Sequence, residues 1–402
     1  MHLFAKGTQT KLYIGKQVDE VTPATNVYPI PFNSTSLGSS TNMTDAETIT
    51  GKRDARRPIM GNHDVTGSIT VPLDTTTFGL YLAMGFKEDS VAAVSNDAVV
   101  TVSSAVTIPA NTNDIVLSTT TGDVTVYTGN TVTFGGNTVT IGGNAETYIT
   151  ANTPVTISGS TGNDHVFYVS DEMDSFTIIQ CIPMGTKTVD TVTSQAYHYD
   201  VFTGCKLNSM SFEISGDGEL TADLDIMGMK HEIVDSITQS IQSSLYFDRI
   251  VALGVESVDE ANTGITVAKS FSTNIDFGLD GDAYFLGQDG YRGTISEGIL
   301  KATGTLNCML KDNTLLKKAS NGIESKLSIQ ANGYDENNYM KIELANVMYE
   351  EATPGIEGPR GIAVDFNYHA YSTDDISVAT TANTSSVKIT LRNQKFDKYY
   401  AT

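Results

Sequence analysis

The chain has no tryptophan and only three cysteines in 402 residues. Cys181, Cys205 and Cys308 are odd in number, widely spaced and set in apolar strand patterns. They are expected to be buried free thiols, not a disulfide framework or a metal site. Without tryptophan, the chain lacks the ring best suited to stacking on sugars. Cations are scarce too: 25 Lys and Arg against 47 Asp and Glu give a net charge of −22. Such a surface repels nucleic acid in general. No apolar run reaches the roughly 18 residues of a helical membrane span. The first residues show no secretory apolar region or cleavage site, so the expected product is made and assembled in a cytoplasm.

Recognisable chemistry is equally scarce. His2, His63, His165, His198, His231 and His369 are scattered, and none has the spacing of a metal-ligand pair. Gly51-Lys52 ends no phosphate-binding loop, because Ala46 stands where the first glycine is needed and Arg53 where Ser or Thr is needed. Asp276-Phe277-Gly278 mimics a kinase motif with the other kinase elements missing. Asp276, Asp280 and Asp282 lack the spacing and closing glutamate of a calcium loop. No enzyme and no cofactor are expected. Two rival classes stay open: a surface β-protein that binds glycans or a receptor, and a carbohydrate-active enzyme hiding a carboxylate pair among its many acids.

What is present is mainly β-strand. Residues 65–73 alternate apolar and polar, with a short helix predicted over 77–84, capped by Asp74 or a following Thr and stopped by Gly85. Met210, Phe212 and Ile214 alternate up to the turn Gly216-Asp217-Gly218. Leu220, Ala222, Leu224 and Ile226 alternate back, a hairpin with one buried face. Residues 33–61 read as a long polar loop, and 278–298 as a Gly-rich one. From about 90 to 164 the composition shifts to Thr, Val, Ser, Gly and Asn, with no Lys or Arg between Lys87 and Lys187. Short strands are predicted there at 115–117, 124–127, 132–134, 139–141, 148–149 and 155–157, separated by turns such as Gly135-Gly136-Asn137. This reads as a small inserted all-β domain, immunoglobulin-like or a short sandwich.

The rest repeats. Sliding the chain by 237 positions puts Gly61 on Gly298, Gly67 on Gly304 and Gly85 on Gly322. It also puts Ile69, Val71 and Leu73 on Leu306, Cys308 and Leu310, alternate positions of one buried strand face. The second copy is expected to hold strands at 271–277, 300–310, 327–331, 342–344 and 362–368, a helix at 313–319 and a last strand at 387–391. The expected domains are therefore 1–89 with 165–232, the insert 90–164, and 233–402. Lys52, Arg53, Arg56 and Arg57 form the one dense basic cluster. In an acidic chain they are the candidate contact between subunits or rings, where charge complementarity fixes register more than it adds affinity.

Three stretches carry a family resemblance. They are Gly7-Thr8-Gln9-Thr10-Lys11-Leu12-Tyr13-Ile14-Gly15, Gly61-Asn62-His63-Asp64-Val65-Thr66-Gly67-Ser68-Ile69, and Tyr197-His198-Tyr199 leading to Gly204-Cys205-Lys206-Leu207-Asn208-Ser209-Met210. They resemble tail tube proteins of tailed bacteriophages. The resemblance implies two tandem β-sandwich domains, each flanked by a short helix, and sheets joined into a barrel around a lumen. It implies a structural virion protein whose stacked rings conduct DNA without gripping it. Its implied partners are further copies of the chain, the tape measure protein, and terminator and baseplate proteins. Six domains around the lumen imply a homotrimeric ring, and the insert suggests a long non-contractile, siphovirus-type tail.

Overall fold

A computed structural model describes residues 6–45, 47, 54, 57–89, 99–102, 115–119, 122–126, 132–135, 138–141, 153–158, 164–168, 175–189, 192–245, 247–251, 254–261, 263–264, 267–334, 338–356, 359, 361–372 and 386–393. The chain divides into two compact units. One comprises residues 1–88, 167–389 and 399–402; the other comprises 89–166 with 390–398. In the smaller unit, Val99–Val102, Thr153–Ser158, Ile115–Thr119 and Gly122–Val126 lie side by side as an antiparallel sheet. A hairpin pairs Val132–Gly135 with Thr138–Ile141. The strand predicted at 148–149 lies outside the described residues.

The larger unit contains the same strand arrangement twice. In the first copy, Ser34–Thr35 and Gly38–Thr44 pair with Ile59–Pro72, which pairs with Thr221–Gly228, which pairs with the far half of Val192–Ser215. In the second copy, Ala268–Asp276 pairs with Lys301–Met309, then Ala363–Ala370, then the end of Tyr339–Tyr349. The register agrees as well as the order. Ile69 stands between Thr35 and Leu224, and Leu306 stands between Phe271 and Phe366. Leu207 lies opposite Ile226 as Tyr349 lies opposite Tyr368.

A second sheet backs each copy. Tyr13 pairs with Ile179 and Ile179 with Val201; in the other copy Asp259 pairs with Ser328 and Ser328 with Glu343. The irregularity between Phe176 and Ile178 recurs between Ser325 and Leu327. Between the sheets lie the alternating apolar side chains, including Ile69, Val71, Met210, Phe212, Leu224, Leu306 and Phe366, all buried. A short helix closes each sandwich, Gly79–Gly85 in the first copy and Thr314–Asn321 in the second. Just ahead of the first helix, Phe78 packs on Phe212 with ring centroids 5.7 Å apart.

The glycines matched in the sequence have a physical reason. A Cβ on Gly67 would meet the Ser36 carbonyl oxygen at 2.5 Å, and one on Gly304 would meet that of Ser272 at 2.0 Å. In both copies this glycine lets the first strand cross close over the second. Gly61 and Gly298 repeat the pattern, at 2.9 Å from the Asn42 oxygen and 2.4 Å from the Gly278 oxygen.

The structure departs from the sequence reading in four places. The polar stretch 33–61 is mostly a hairpin, with Gly38–Thr44 paired to the near end of Ile59–Pro72. Its Ser and Thr residues hid the strand, because an exposed edge strand needs no apolar face. The first helix begins at Gly79, two residues later than predicted. Lys230–Val234 is a strand against residues 199–203 and runs across the expected domain boundary at 232. The second copy also holds a strand at Val255–Glu260, which the sequence reading did not place.

Candidate functional site

The two copies are joined strand to strand. Residues 209–215 pair with 270–276, from Ser209 opposite Asp276 to Ser215 opposite Ser270. One continuous sheet therefore runs through both copies. Its back face is the apolar core, and its front face carries the alternate residues. Front-facing positions include Ser68, Thr70, Asp223, Asp225, Ser211 and Glu213 in the first copy, and Asn274, Asp276, Thr305, Asn307, Asp365 and Asn367 in the second. These side chains are short and polar, with carboxylates outnumbering cations such as Lys301.

Neighbouring front-face groups bond to one another. Thr70 Oγ1 donates to Asp223 Oδ1 at 2.6 Å, Asn208 Nδ2 to Asp225 Oδ2 at 2.7 Å, and Thr305 Oγ1 to Asn367 Oδ1 at 2.9 Å. Asn307 donates to Asp365 from the position matching Thr70. Glu350 sits at the far edge, where hydrogen bonds from His369 and Asn367 hold its carboxyl below the usual range. A face on which carboxylates outnumber cations repels phosphate in general.

The loop 278–298 of the second copy folds back over the first. Arg292, 6% exposed, donates to the Val65, Gly228 and Gly281 carbonyls and pairs with Asp64. Lys206 reaches the Ile295 oxygen at 3.1 Å and pairs with Glu20 at 3.0 Å and Glu297 at 3.4 Å. Sequence reading missed both residues, because each is a lone cation whose partners lie far along the chain. It also missed Asp200, which collects His231 Nε2 at 2.8 Å and His198 Nε2 at 3.1 Å across two strands.

Of the basic cluster, Arg57 is exposed near the tip of the first hairpin, and Lys52, Arg53 and Arg56 lie outside the described residues. Asp276 and Asp280 are occupied in turns, accepting from the backbone N–H of Gly278 and Asp282. Among the described residues, no three His, Cys, Asp or Glu side chains converge on a possible metal position, and no helix is long and apolar enough to cross a membrane. The described Cys181, Cys205 and Cys308 are free and buried, and burial pushes their thiols up, to about 11 for Cys308.

A search among curated proteins returns no match to the chain. The family model for phage tail tube proteins matches residues 7–177 and 181–370. The break between the two matches falls inside the strand Phe176–Val189, whereas strand pairing with the first copy continues as far as Ser240–Ile241. With both matched regions covering most of its length, and a polar-faced sheet built twice, the chain belongs to the phage tail tube protein family, structural components of the virion tail.

Proposed function

We propose that three copies of this subunit close a ring of six sheet units, that rings stack into the tail tube, and that the polar front face lines the lumen through which DNA passes. The observation that carries this reading is the internal joint. Residues 209–215 of the first copy have counterparts at 351–357 in the second, and 270–276 have counterparts at 34–40 in the first. Both counterparts are open edges of the sheet, and residues 351–356 form no strand. Repeating the internal register between chains sets Glu351 opposite Ser40, Thr353 opposite Gly38, and Ile356 opposite Thr35. Ile356, 77% exposed, then gains the cover that Ile214 has inside the chain. Such a joint is heterologous, so it either closes a ring or runs on as a filament.

The basic cluster fits the same scheme. Its hairpin tip is the counterpart of loop 278–298, and the surface that loop covers in the first copy corresponds to an open cavity in the second. That cavity, of about 480 Å³, is lined by Glu324, Met348, Glu350, His369 and Tyr371. Lys52, Arg53, Arg56 and Arg57 of a neighbouring copy would enter beside Glu324 and Glu350. The domains follow as 1–89 with 165–232 for the first tube unit, 90–164 for the insert and 233–402 for the second. Tape measure, terminator and baseplate proteins are the expected further partners, in a long non-contractile tail.

Cryo-electron microscopy of the purified protein tests the reading. The expected result is rings or tubes with three copies of the insert per ring. Six copies per ring, or monomers at every concentration, would overturn it.

A further inference from the structure

Loop 278–298 and the first hairpin are matched by pairing as well as by place. Thr44 stands opposite Ile59 as Asp280 stands opposite Ser296. Both copies reach that pair through the same slip. From Ser40 opposite Asp64, four steps along one strand answer five along the other, and the same holds from Asp276 opposite Lys301. Gly61 faces the Asn42 oxygen as Gly298 faces that of Gly278. Met60, between Ile59 and Gly61, therefore holds the place of Glu297, between Ser296 and Gly298. On the receiving side, Lys206 stands opposite Met227 as Met348 stands opposite His369.

Inside the chain this place holds an ion pair. Lys206 Nζ lies 3.4 Å from Glu297 Oε1, and Lys206 is only 5% exposed. At the open joint both members are methionines. Met60 is 56% exposed, and Met348 is 40% exposed in the lining of the open cavity, beside Glu324 and Glu350. The other ion pair of the internal joint is altered too: Asp64, which holds Arg292, gives way to Lys301 at the matched position.

We propose that Met60 of one copy docks on Met348 of the next, an inference that rests on the ring reading. An apolar pair then stands between chains where an ion pair stands within the chain. Contact removes two exposed thioether side chains from water, and flexible methionines adapt to an irregular gap. The two joints thereby carry different codes. Met60 set against Lys206 would leave a buried cation short of one carboxylate. A glutamate placed as Glu297 is would meet Met348 beside two more carboxylates. Both mismatches disfavour the wrong pairing, so a first-copy hairpin is directed to a second copy and the two kinds of unit alternate around the ring.

Charge transplantation tests this in the full chain. Met60→Glu should lower ring yield at least tenfold, with the thermal midpoint of the free subunit unchanged because Met60 is exposed. Adding Met348→Lys should restore the rings, because it rebuilds the pair of the internal joint. Met60→Cys combined with Met348→Cys, treated with a short bismaleimide, should give covalent trimers on a denaturing gel, and each single variant should stay monomeric there. Rings at full yield from Met60→Glu, failure of Met348→Lys to restore them, or rings without the cross-link overturn the docking and leave the ring reading standing. Absence of rings from the unaltered protein removes both.

Discussion

Asp74 and Asp312 each hold a turn ahead of the helix of their own copy, one residue apart in the matched register and in opposite surroundings. Asp74 accepts from the backbone N–H of Thr76 at 2.8 Å and from that of Thr77, and is 1% exposed. Burial pushes its carboxyl up to about 6, against the hydrogen bonds from Thr77 and Thr76, with nearby Asp248 adding to the rise. Asp312 accepts from the Thr314 N–H at 2.8 Å in open solvent, and the Thr314 hydrogen bonds hold its carboxyl below the usual range. One sequence device gives opposite titration behaviour because one copy has a neighbour over it and the other does not. The difference between the copies thus marks a surface that is covered in the first copy and open in the second.

The strongest way to break the comparison is at the cover itself. Asp248 accepts from Thr75 Oγ1 at 2.6 Å, the Tyr334 N–H at 2.8 Å and Asn338 Nδ2 at 3.0 Å, tying the first helix's approach to a loop of the second copy. Asp248→Ala removes charge-assisted bonds and strands buried donors, and should cost about 4 kcal/mol in urea unfolding. A loss below about 1 kcal/mol would mean that the two copies are held together elsewhere.

Next come the matched glycines. Gly304→Ala drives a methyl group into strand 270–276, which is pinned on both sides, and should cost about 3 kcal/mol. Gly67→Ala presses on strand 34–40, an open edge, but also places a Cβ at a φ of +154°, so it should cost about as much. Thermal unfolding of the two variants side by side decides this, and a clearly smaller loss at Gly67 would mean that the open edge yields to the new methyl group.

The titration difference follows in size. Asp74 is raised, so the folded state holds its proton more tightly than the unfolded chain does. Its contribution is present below about pH 4 and is lost as pH rises through about 6, a fall of about 3 kcal/mol. Asp74→Asn should flatten that slope when urea midpoints are compared between pH 4 and 7. Asp312 is lowered, so its contribution is present at neutral pH and is lost on acidification. Asp312→Asn should therefore shift the midpoint at pH 7 more than at pH 3, the reverse order.

The smallest effect belongs to the basic hairpin tip. Reversing charge at Arg53, Arg56 and Arg57 should weaken contacts between copies by about 0.2–1 kcal/mol per pair. Mean tube length and its salt dependence report this, and unchanged values would make the tip a merely solvated loop.

The buried faces were legible in the sequence. Alternation at Met210, Phe212 and Ile214, and at Ile69 and Val71, marks strands whose other face is wet, and the glycine spacing marks a steric need repeated in both copies. What escaped was set by position in the sheet. Residues 34–40 are Ser-Thr-Ser-Leu-Gly-Ser-Ser, yet they hold the place of 270–276, where Phe271 and Ile275 are buried. An inner strand must present apolar groups to the core, whereas an open edge is safer without them. The polar front face was also hidden, because alternation says which residues face out but not that two copies share one sheet. Arg292 and Lys206 gave no local sign, since their partners are backbone carbonyls and distant carboxylates.

The internal joint also bears on how assembly depends on concentration. Joining two sheet units in one chain turns a collision into a folding event, since the tether keeps the partner edges at high effective concentration. In a ring of three such chains, every second joint is already made in the monomer. The remaining joints need three bodies to meet where single-unit subunits would need six. Ring formation should then rise less steeply with subunit concentration, and should begin at lower concentrations, than for a tube built from single sheet units.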